Sequence, residues 1–328
     1  MKKRFVLDLL CYIFSQNMVN NMACFQPLLA VDFGPIGENE KHKIKIIPTN
    51  GRSIQDYRDK YGDMLMFLPC NKCVGCAQDY ARAWQCRIMC EYESRREQGQ
   101  EKASFITLTY SDEPSSAEFA LDRLRHFIKD IRNKYGKGIK FFACTERGSQ
   151  TNRLHHHAIL FGVDFSEDRE VISKRGLNLV YVSNSLNQLW PYGFSSIGSL
   201  DISSAGYVSK YCDKKKISRM SSDESVIMSR GLGKEYFQKH KSEIFDSDYL
   251  YFEGNKFKIP RTFLRWALDD DFYFKVCAED YQSRKKLVAQ SFRYDANKSF
   301  QDEEHALIDT RENLVVKKSH EEVLRDVY

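Results

Sequence analysis

Apolar and polar positions follow two distinct periods through the middle of the chain. Residues 104–110, SFITLTY, are β-branched and aromatic, which predicts a strand. Residues 117–136, AEFALDRLRHFIKDIRNKYG, carry Phe119, Leu121, Leu124, Phe127, Ile128 and Ile131 at helical spacing. That pattern predicts an amphipathic helix ending near Gly136. Residues 139–146, IKFFACTE, predict a second strand, and 154–162, LHHHAILFG, a third. A fourth is expected over 196–202, leading into a helix over 204–216. Upstream, 79–97 predicts a helix whose apolar side includes Trp84, Ile88 and Met89. The order helix, strand, helix, strand, strand, strand, helix predicts an α+β domain with a largely antiparallel sheet.

The flanks carry weaker patterns. Residues 24–69, with Pro27, Pro35, Pro48 and Pro69, read as irregular. The Ser-rich stretch 217–230 reads as a linker. Helices are expected around 262–289 and 317–327, making the C-terminal region mostly helical. The expected divisions are 22–100, 101–217 as a catalytic core, and 218–328 with no assigned role. At the start, Lys2, Lys3 and Arg4 precede an apolar run from Phe5 to Phe14, imitating a secretory signal. Asp8 interrupts the run, and no small-residue cleavage site follows cleanly. The expectation is a natural start at Met22, with 1–21 an extension. The run is too short to span a bilayer and no other stretch approaches that length, so no membrane association is expected.

Composition narrows the classes. The chain has 328 residues with 42% hydrophobic and 29% charged, which excludes disorder of the whole. Lys and Arg number 50 against 45 Asp and Glu, for a net charge of +5. That excludes a histone-like charge blanket but leaves room for a local basic patch. Ten cysteines are present, and Cys70, Cys73 and Cys76 cluster at a spacing that suits a metal better than disulfides. Clustered thiols also suit a reducing cytoplasm. Gly231-Leu232-Gly233-Lys234 lacks the spacing and hydroxyl of a phosphate loop, which argues against an ATP-driven motor.

The candidate chemistry lies in two places. Strand alternation points His155 and His157 one way and His156 the other. Two imidazoles on one face can converge on one divalent cation. Glu146 closes the preceding strand, and a short loop, 147–153, would bring it back beside them. A mixed oxygen and imidazole site suits Mg²⁺ or Mn²⁺ better than structural zinc. The plainer reading is a solvated strand end. The second place is 206–216, GYVSKYCDKKK. Tyr207 and Tyr211 are four apart, so both phenols share a helix face, and Lys210 and Lys214 form a second row. A tyrosine can attack a phosphodiester covalently, and a lysine can stabilise the developing charge. Alone, that helix reads as buried rings and solvated lysines. Beside a two-histidine strand, the nucleophile reading prevails.

These residues resemble the HUH endonucleases, which initiate rolling-circle replication. The motifs are Phe105-Ile106-Thr107-Leu108-Thr109-Tyr110, His155-His156-His157, and Tyr207 with Tyr211. His156 departs from the bulky apolar residue usual at the middle position. The resemblance narrows to replication initiators of gokushovirus-type microviruses, which are single-stranded DNA phages. It is carried by residues 22–28, the segment 69–76 with Trp84, Gly231 to Phe237, and Lys258-Ile259-Pro260-Arg261. It covers about residues 22–265. It implies an HUH-type central antiparallel sheet flanked by helices, with a Cys-rich zinc-binding segment before it. It implies metal-dependent, sequence-specific nicking of a phage origin through a 5′-phosphotyrosine, followed by strand transfer. Metal would be held by His155, His157 and Glu146, and the nucleophiles would be Tyr207 and Tyr211. The implied partners are single-stranded origin DNA and a host polymerase and helicase, in the cytoplasm of the bacterial host. A structural zinc needs four ligands. The resemblance makes Cys24 first choice beside Cys70, Cys73 and Cys76, with Cys90 the runner-up and Cys86 a competitor. Four thiolates would also suit an iron–sulfur cluster, but nothing else points to redox work. Two rival readings remain: a non-enzymatic zinc-containing nucleic-acid-binding module, and a relaxase or transposase on the same fold.

Overall fold

The computed structural model describes residues 24, 27–36, 41–49, 51–114, 116–148, 152–175, 178–217 and 225–290. The expected extension 1–21, the Met22 start and the helix at 317–327 lie outside them. The described residues form two compact units. One holds those up to Cys76 and from Glu279 onward, and the other is Ala77–Ala278.

The first unit is not irregular. It carries the strands β1 (Leu28–Ile36), β2 (Lys41–Ile46) and β3 (Leu65–Leu68), in the antiparallel order β2-β1-β3. The helix α1 (Ile54–Tyr61) packs on one face, burying Leu29, Val31, Ile54, Tyr57, Leu65 and Phe67 together. Ser53 starts that helix with a capping box. Its hydroxyl accepts from the Asp56 N–H at 3.2 Å, and Asp56 accepts from the Ser53 N–H at 2.9 Å. The prolines misled the pattern because they bound the strands rather than break them. Pro27, Pro48 and Pro69 lie just outside β1, β2 and β3. Pro35 sits beyond a register shift in β1, where only β2 still pairs with the strand, so its missing N–H is tolerated.

The second unit begins within α2 (Val74–Arg96), which the pattern started five residues late. Its sheet has seven strands, and every pairing is antiparallel. These are β4 (Ala103–Thr109), β5 (Lys140–Arg147), β6 (Leu154–Phe161), β7 (Arg169–Arg175), β8 (Asn178–Ser183), β9 (Ser195–Gly198) and β10 (Ser225–Met228), in the order β10-β5-β6-β4-β9-β8-β7. The strand β4 alternates strictly between buried and half-buried positions. Its Ile106 and Leu108 enter a core shared with α3 (Ala117–Tyr135), which contributes Ala120, Leu124, Phe127, Ile128 and Ile131. Fully burying one such large side chain stabilises the fold by about 1.5–3 kcal/mol. Ser116 caps α3 by accepting from the Phe119 N–H at 3.1 Å, and the helix stops at Gly136, where φ is 113°. The short helix α4 (Asn184–Leu189) adds Leu186 to the same core.

The opposite face of the sheet carries α2 and α5 (Ile202–Ile217). Trp84 of α2 lies 5.3 Å from Phe142 of β5, and α5 packs over β5, β6 and β10. The Ser-rich stretch is therefore not simply a linker, because β10 pairs with β5 through Val226 opposite Cys144. The C-terminal part is less helical than its pattern. It comprises α6 (Lys234–Ser247), the hairpin β11 (Tyr249–Phe252) and β12 (Asn255–Lys258), α7 (Arg261–Leu268) and α8 (Phe272–Gln290). The segment before α6 docks on α2. Glu91, 1% exposed, accepts from the Gly233 N–H at 3.1 Å, from Arg95 at 3.0 Å and from Lys140 at 2.9 Å. The Gly-Leu-Gly-Lys sequence thus serves packing here.

Candidate active site

Hairpin register builds the site. β5 and β6 pair so that Glu146 stands opposite His155 and Cys144 opposite His157. β4 flanks β6 on its other side, with Thr107 opposite His157 and Thr109 opposite His155. Glu146, His155, His157 and Thr107 therefore share one sheet face. His155 Nε2 lies 2.8 Å from Glu146 Oε1, and His157 Nε2 lies 3.0 Å from the same oxygen. All three ligand atoms fall within 4.8 Å of one another. The His155 Nδ1–H donates to the Arg153 carbonyl at 3.2 Å, so in the neutral ring Nε2 carries the lone pair. Two lone-pair donors facing each other repel unless a proton or a metal ion lies among them. That donor set fits a divalent cation. His157 Nδ1 meets Thr107 Oγ1 at 3.0 Å, an outer-shell bond that fixes the ring. Phe105 stacks on the same ring with centroids 5.6 Å apart. Burial pushes the His157 imidazole down, although Glu146 pulls the other way.

His156 has a different task. It is fully buried on the other face, in edge contact with Tyr110 and Trp190. Nε2 meets the Tyr110 hydroxyl at 2.7 Å, and Nδ1 meets Thr145 Oγ1 at 2.9 Å. Burial, helped by the adjacent imidazoles, pushes it down to about 3, so it is a neutral core histidine.

The helix α5 brings Tyr207 to the pair. Its hydroxyl lies 3.4 Å from Glu146 Oε1 and 3.5 Å from His157 Nε2. The ring stands edge-on to His157 and Phe105 and is 42% exposed. Buried Ala205 and Val208 seat the helix. Lys210 is exposed one turn further on. Residues 211 and 214 continue the helix, but the Tyr211 and Lys214 side chains lie outside the described residues. Sequence reading passed over Thr107 and Phe105 as site residues. The alternation of SFITLTY could have found them, because it puts both on the face of His157.

A second group of donors occupies the first unit. Cys24, Cys70, Cys73 and Cys76 bring their sulfurs within 4.8 Å of one another. Cys24 to Cys73 and Cys70 to Cys76 are each 3.9 Å. Sulfurs bound tetrahedrally to zinc at 2.3 Å stand about 3.8 Å apart. The Cys70 N–H donates to Cys24 Sγ at 3.2 Å, and the Cys73 N–H donates to Cys70 Sγ at 3.4 Å. No disulfide joins any of the four. Hydrogen bonds to Cys73 and Cys76, with burial, push the Cys24 thiol far above the ordinary cysteine range. Four thiolates this close need a cation, and the donor set fits zinc. Cys90 is not in the group; it is fully buried and interacts with Cys86.

Comparison with known proteins finds similar chains. A family profile described as replication-associated protein, of the ORF2 or gene 2 protein type, matches residues 103–216, from the first residue of β4 into α5. Replication-associated protein ORF2 of Spiroplasma virus 4 is 27% identical over 308 residues, covering 86% of this chain and 92% of that protein. Replication-associated protein ORF4 of Chlamydia phage 1 is 28% identical over 254 residues, covering 71% and 62%. This chain is a relative of microvirus replication-associated proteins. A third relative, replication-associated protein VP4 of Bdellovibrio phage phiMH2K, is 28% identical over 222 residues, covering 61% and 67%. No solved structure matches. The residues matched by the family profile contain Glu146, His155, His157 and Tyr207, while the four grouped cysteines lie before them. No described helix of this relative is long and apolar enough to cross a membrane.

Proposed function

We propose that this protein initiates rolling-circle replication by nicking single-stranded origin DNA through a tyrosine. The observation that carries the reading is the approach of the Tyr207 hydroxyl to within 3.4 Å of Glu146 and 3.5 Å of His157. In this reading the sheet is HUH-type, and the catalytic core is 101–217. Glu146, His155 and His157 hold Mg²⁺ or Mn²⁺. When bound, that ion withdraws electron density from the scissile phosphate. Tyr207 Oη forms a bond to phosphorus as the bond from phosphorus to the 3′ oxygen breaks. The phenol gives up one proton, and the departing 3′ oxygen gains one. The products are a 5′-phosphotyrosine and a free 3′-OH.

The phosphotyrosyl bond conserves the energy needed for rejoining. A host polymerase extends the 3′-OH while a host helicase separates the strands, in the bacterial cytoplasm. Tyr211 then attacks the regenerated origin, and the released 3′-OH resolves the first adduct. Lys210 and Lys214 bind phosphates and stabilise the charge that develops there. The strand has a natural track. Thr107 and Thr109 on β4 and Ser196 on β9 are half-exposed on the metal face. Phe194, which precedes β9, is 56% exposed and accepts from the Thr109 N–H at 2.9 Å. It offers a stacking platform for a base. In the first unit, Cys24, Cys70, Cys73 and Cys76 hold a structural zinc.

The test is incubation with single-stranded origin DNA and Mn²⁺, read on a denaturing gel. A covalent protein–DNA band that a chelator abolishes is expected. A protein that binds the DNA but never forms the band is a binding module instead.

A further inference from the structure

Nicking by Tyr207 depends on where its phenol is held. A displacement of about 1 Å in a reacting group can slow a reaction about 100-fold. The Tyr207 ring stands edge-on to Phe105 and His157 and its hydroxyl reaches Glu146 and His157 at 3.4 and 3.5 Å, so the position of α5 governs where the phenol lies. That helix is gripped near its start. Asp201 and Ser204 cap it reciprocally, with the Ser204 N–H donating to Asp201 Oδ1 at 2.7 Å and the Asp201 N–H to Ser204 Oγ at 2.9 Å. Caps satisfy the backbone, but they do not fix how a helix slides or turns on its neighbours.

Gln85 of α2 does that. Its Nε2 donates to the Ile202 carbonyl at 2.8 Å. The same amide nitrogen lies against Gly206, so close that a Cβ there would stand 2.7 Å from Nε2 and 3.4 Å from Cδ. Residues 202 and 206 are four apart, stacked on one helix face. One amide therefore spans two successive turns, bonded to the first and in contact with the second. Gln85 is half-buried, and its amide is held by the bond to Ile202. Gly206 immediately precedes Tyr207, and it has no need of glycine for its backbone, which is helical. Its value is the close approach.

We infer that Gln85 and Gly206 form a lock that sets the register of α5 on α2, with Gln85 acting as a positioning residue for Tyr207. This rests on the nicking reading above. The lock touches neither DNA nor metal; it acts through the height and rotation of the helix.

The test compares the full-length wild type, Gly206→Ala, Gln85→Ala and the double variant. Adduct formation is followed in a single turnover with origin DNA and Mn²⁺, and affinity for the same DNA is measured separately. Alanine is a better helix former than glycine, so Gly206→Ala carries no penalty of propensity. If the amide holds its place, the new methyl displaces α5 and lowers the adduct rate, by as much as about 100-fold for a shift of about 1 Å, with affinity nearly unchanged. Gln85→Ala slows the rate less. In the double variant the amide is gone and the new methyl has room, so the rate returns to that of Gln85→Ala. The inference is overturned if Gly206→Ala reacts at the wild-type rate, if the double variant stays as slow as Gly206→Ala, or if rate and affinity fall together. Wild type that forms no adduct sinks the nicking reading itself, and the lock with it.

Discussion

Glu146 stands opposite His155 across the β5–β6 ladder, and their side chains meet at 2.8 Å. The same carboxylate oxygen reaches His157, so one register sets all three groups. A slip of one residue would turn them to the other face. The three side chains are thus placed by backbone pairing, and the neighbouring hydrogen bonds adjust them.

Thr107 is the outer bond to test first. Thr107→Ala leaves the ligands in place but frees the His157 ring. Calorimetry should find Mn²⁺ affinity lowered about 10-fold or more, as for other outer-shell losses. Glu146→Ala should lower it further. Unchanged affinity in both would place the ion elsewhere.

Zinc in the first unit is checked by elemental analysis of purified protein. One zinc per chain is expected, and Cys24→Ser should lose it. Cys90→Ser should keep it, because Cys90 is not among the four grouped thiols. A chelator should also lower the melting temperature, since a structural zinc contributes to folding directly.

The Glu91 carboxylate ties α2 to β5 and to the segment before α6. Glu91→Ala leaves Lys140 and Arg95 without their buried partner. Urea unfolding should show a loss of about 3–5 kcal/mol. A loss under about 1 kcal/mol would mean the network behaves like a surface pair.

Phe194 should matter to DNA and not to metal. Phe194→Ala is expected to weaken single-stranded DNA binding by about 1–3 kcal/mol through lost stacking. Mn²⁺ affinity should stay constant. Fluorescence anisotropy measures the first, and calorimetry the second.

The strands that carry the candidate residues were more legible than their surroundings. β4 and α3 were legible because one face of each is buried against a single core, which imprints clean periods of two or 3.6 on Ile106, Leu108, Leu124 and Phe127, and β5 and β6 because burial on both faces leaves short continuous apolar runs. β1 to β3 were hidden by prolines that punctuate the strands from outside. β7 and β8 lie at the sheet edge, where Val171 and Ile172 stay exposed and the alternation fades. β10 has four half-buried residues and so carries no period at all. Gln85 left no trace, because a glutamine in a helix looks the same whether it faces solvent or holds another helix. The nearness of Glu146 to His155 was legible because the short loop after it implied a hairpin.

The most direct measurement is mass spectrometry of the covalent adduct after proteolysis. The account predicts DNA-derived phosphate on the peptide carrying Tyr207, with no adduct at that position in Tyr207→Phe and with Mn²⁺ binding retained. Phosphate on a residue outside α5, or an undiminished adduct in the combined Tyr207→Phe and Tyr211→Phe variant, would contradict it.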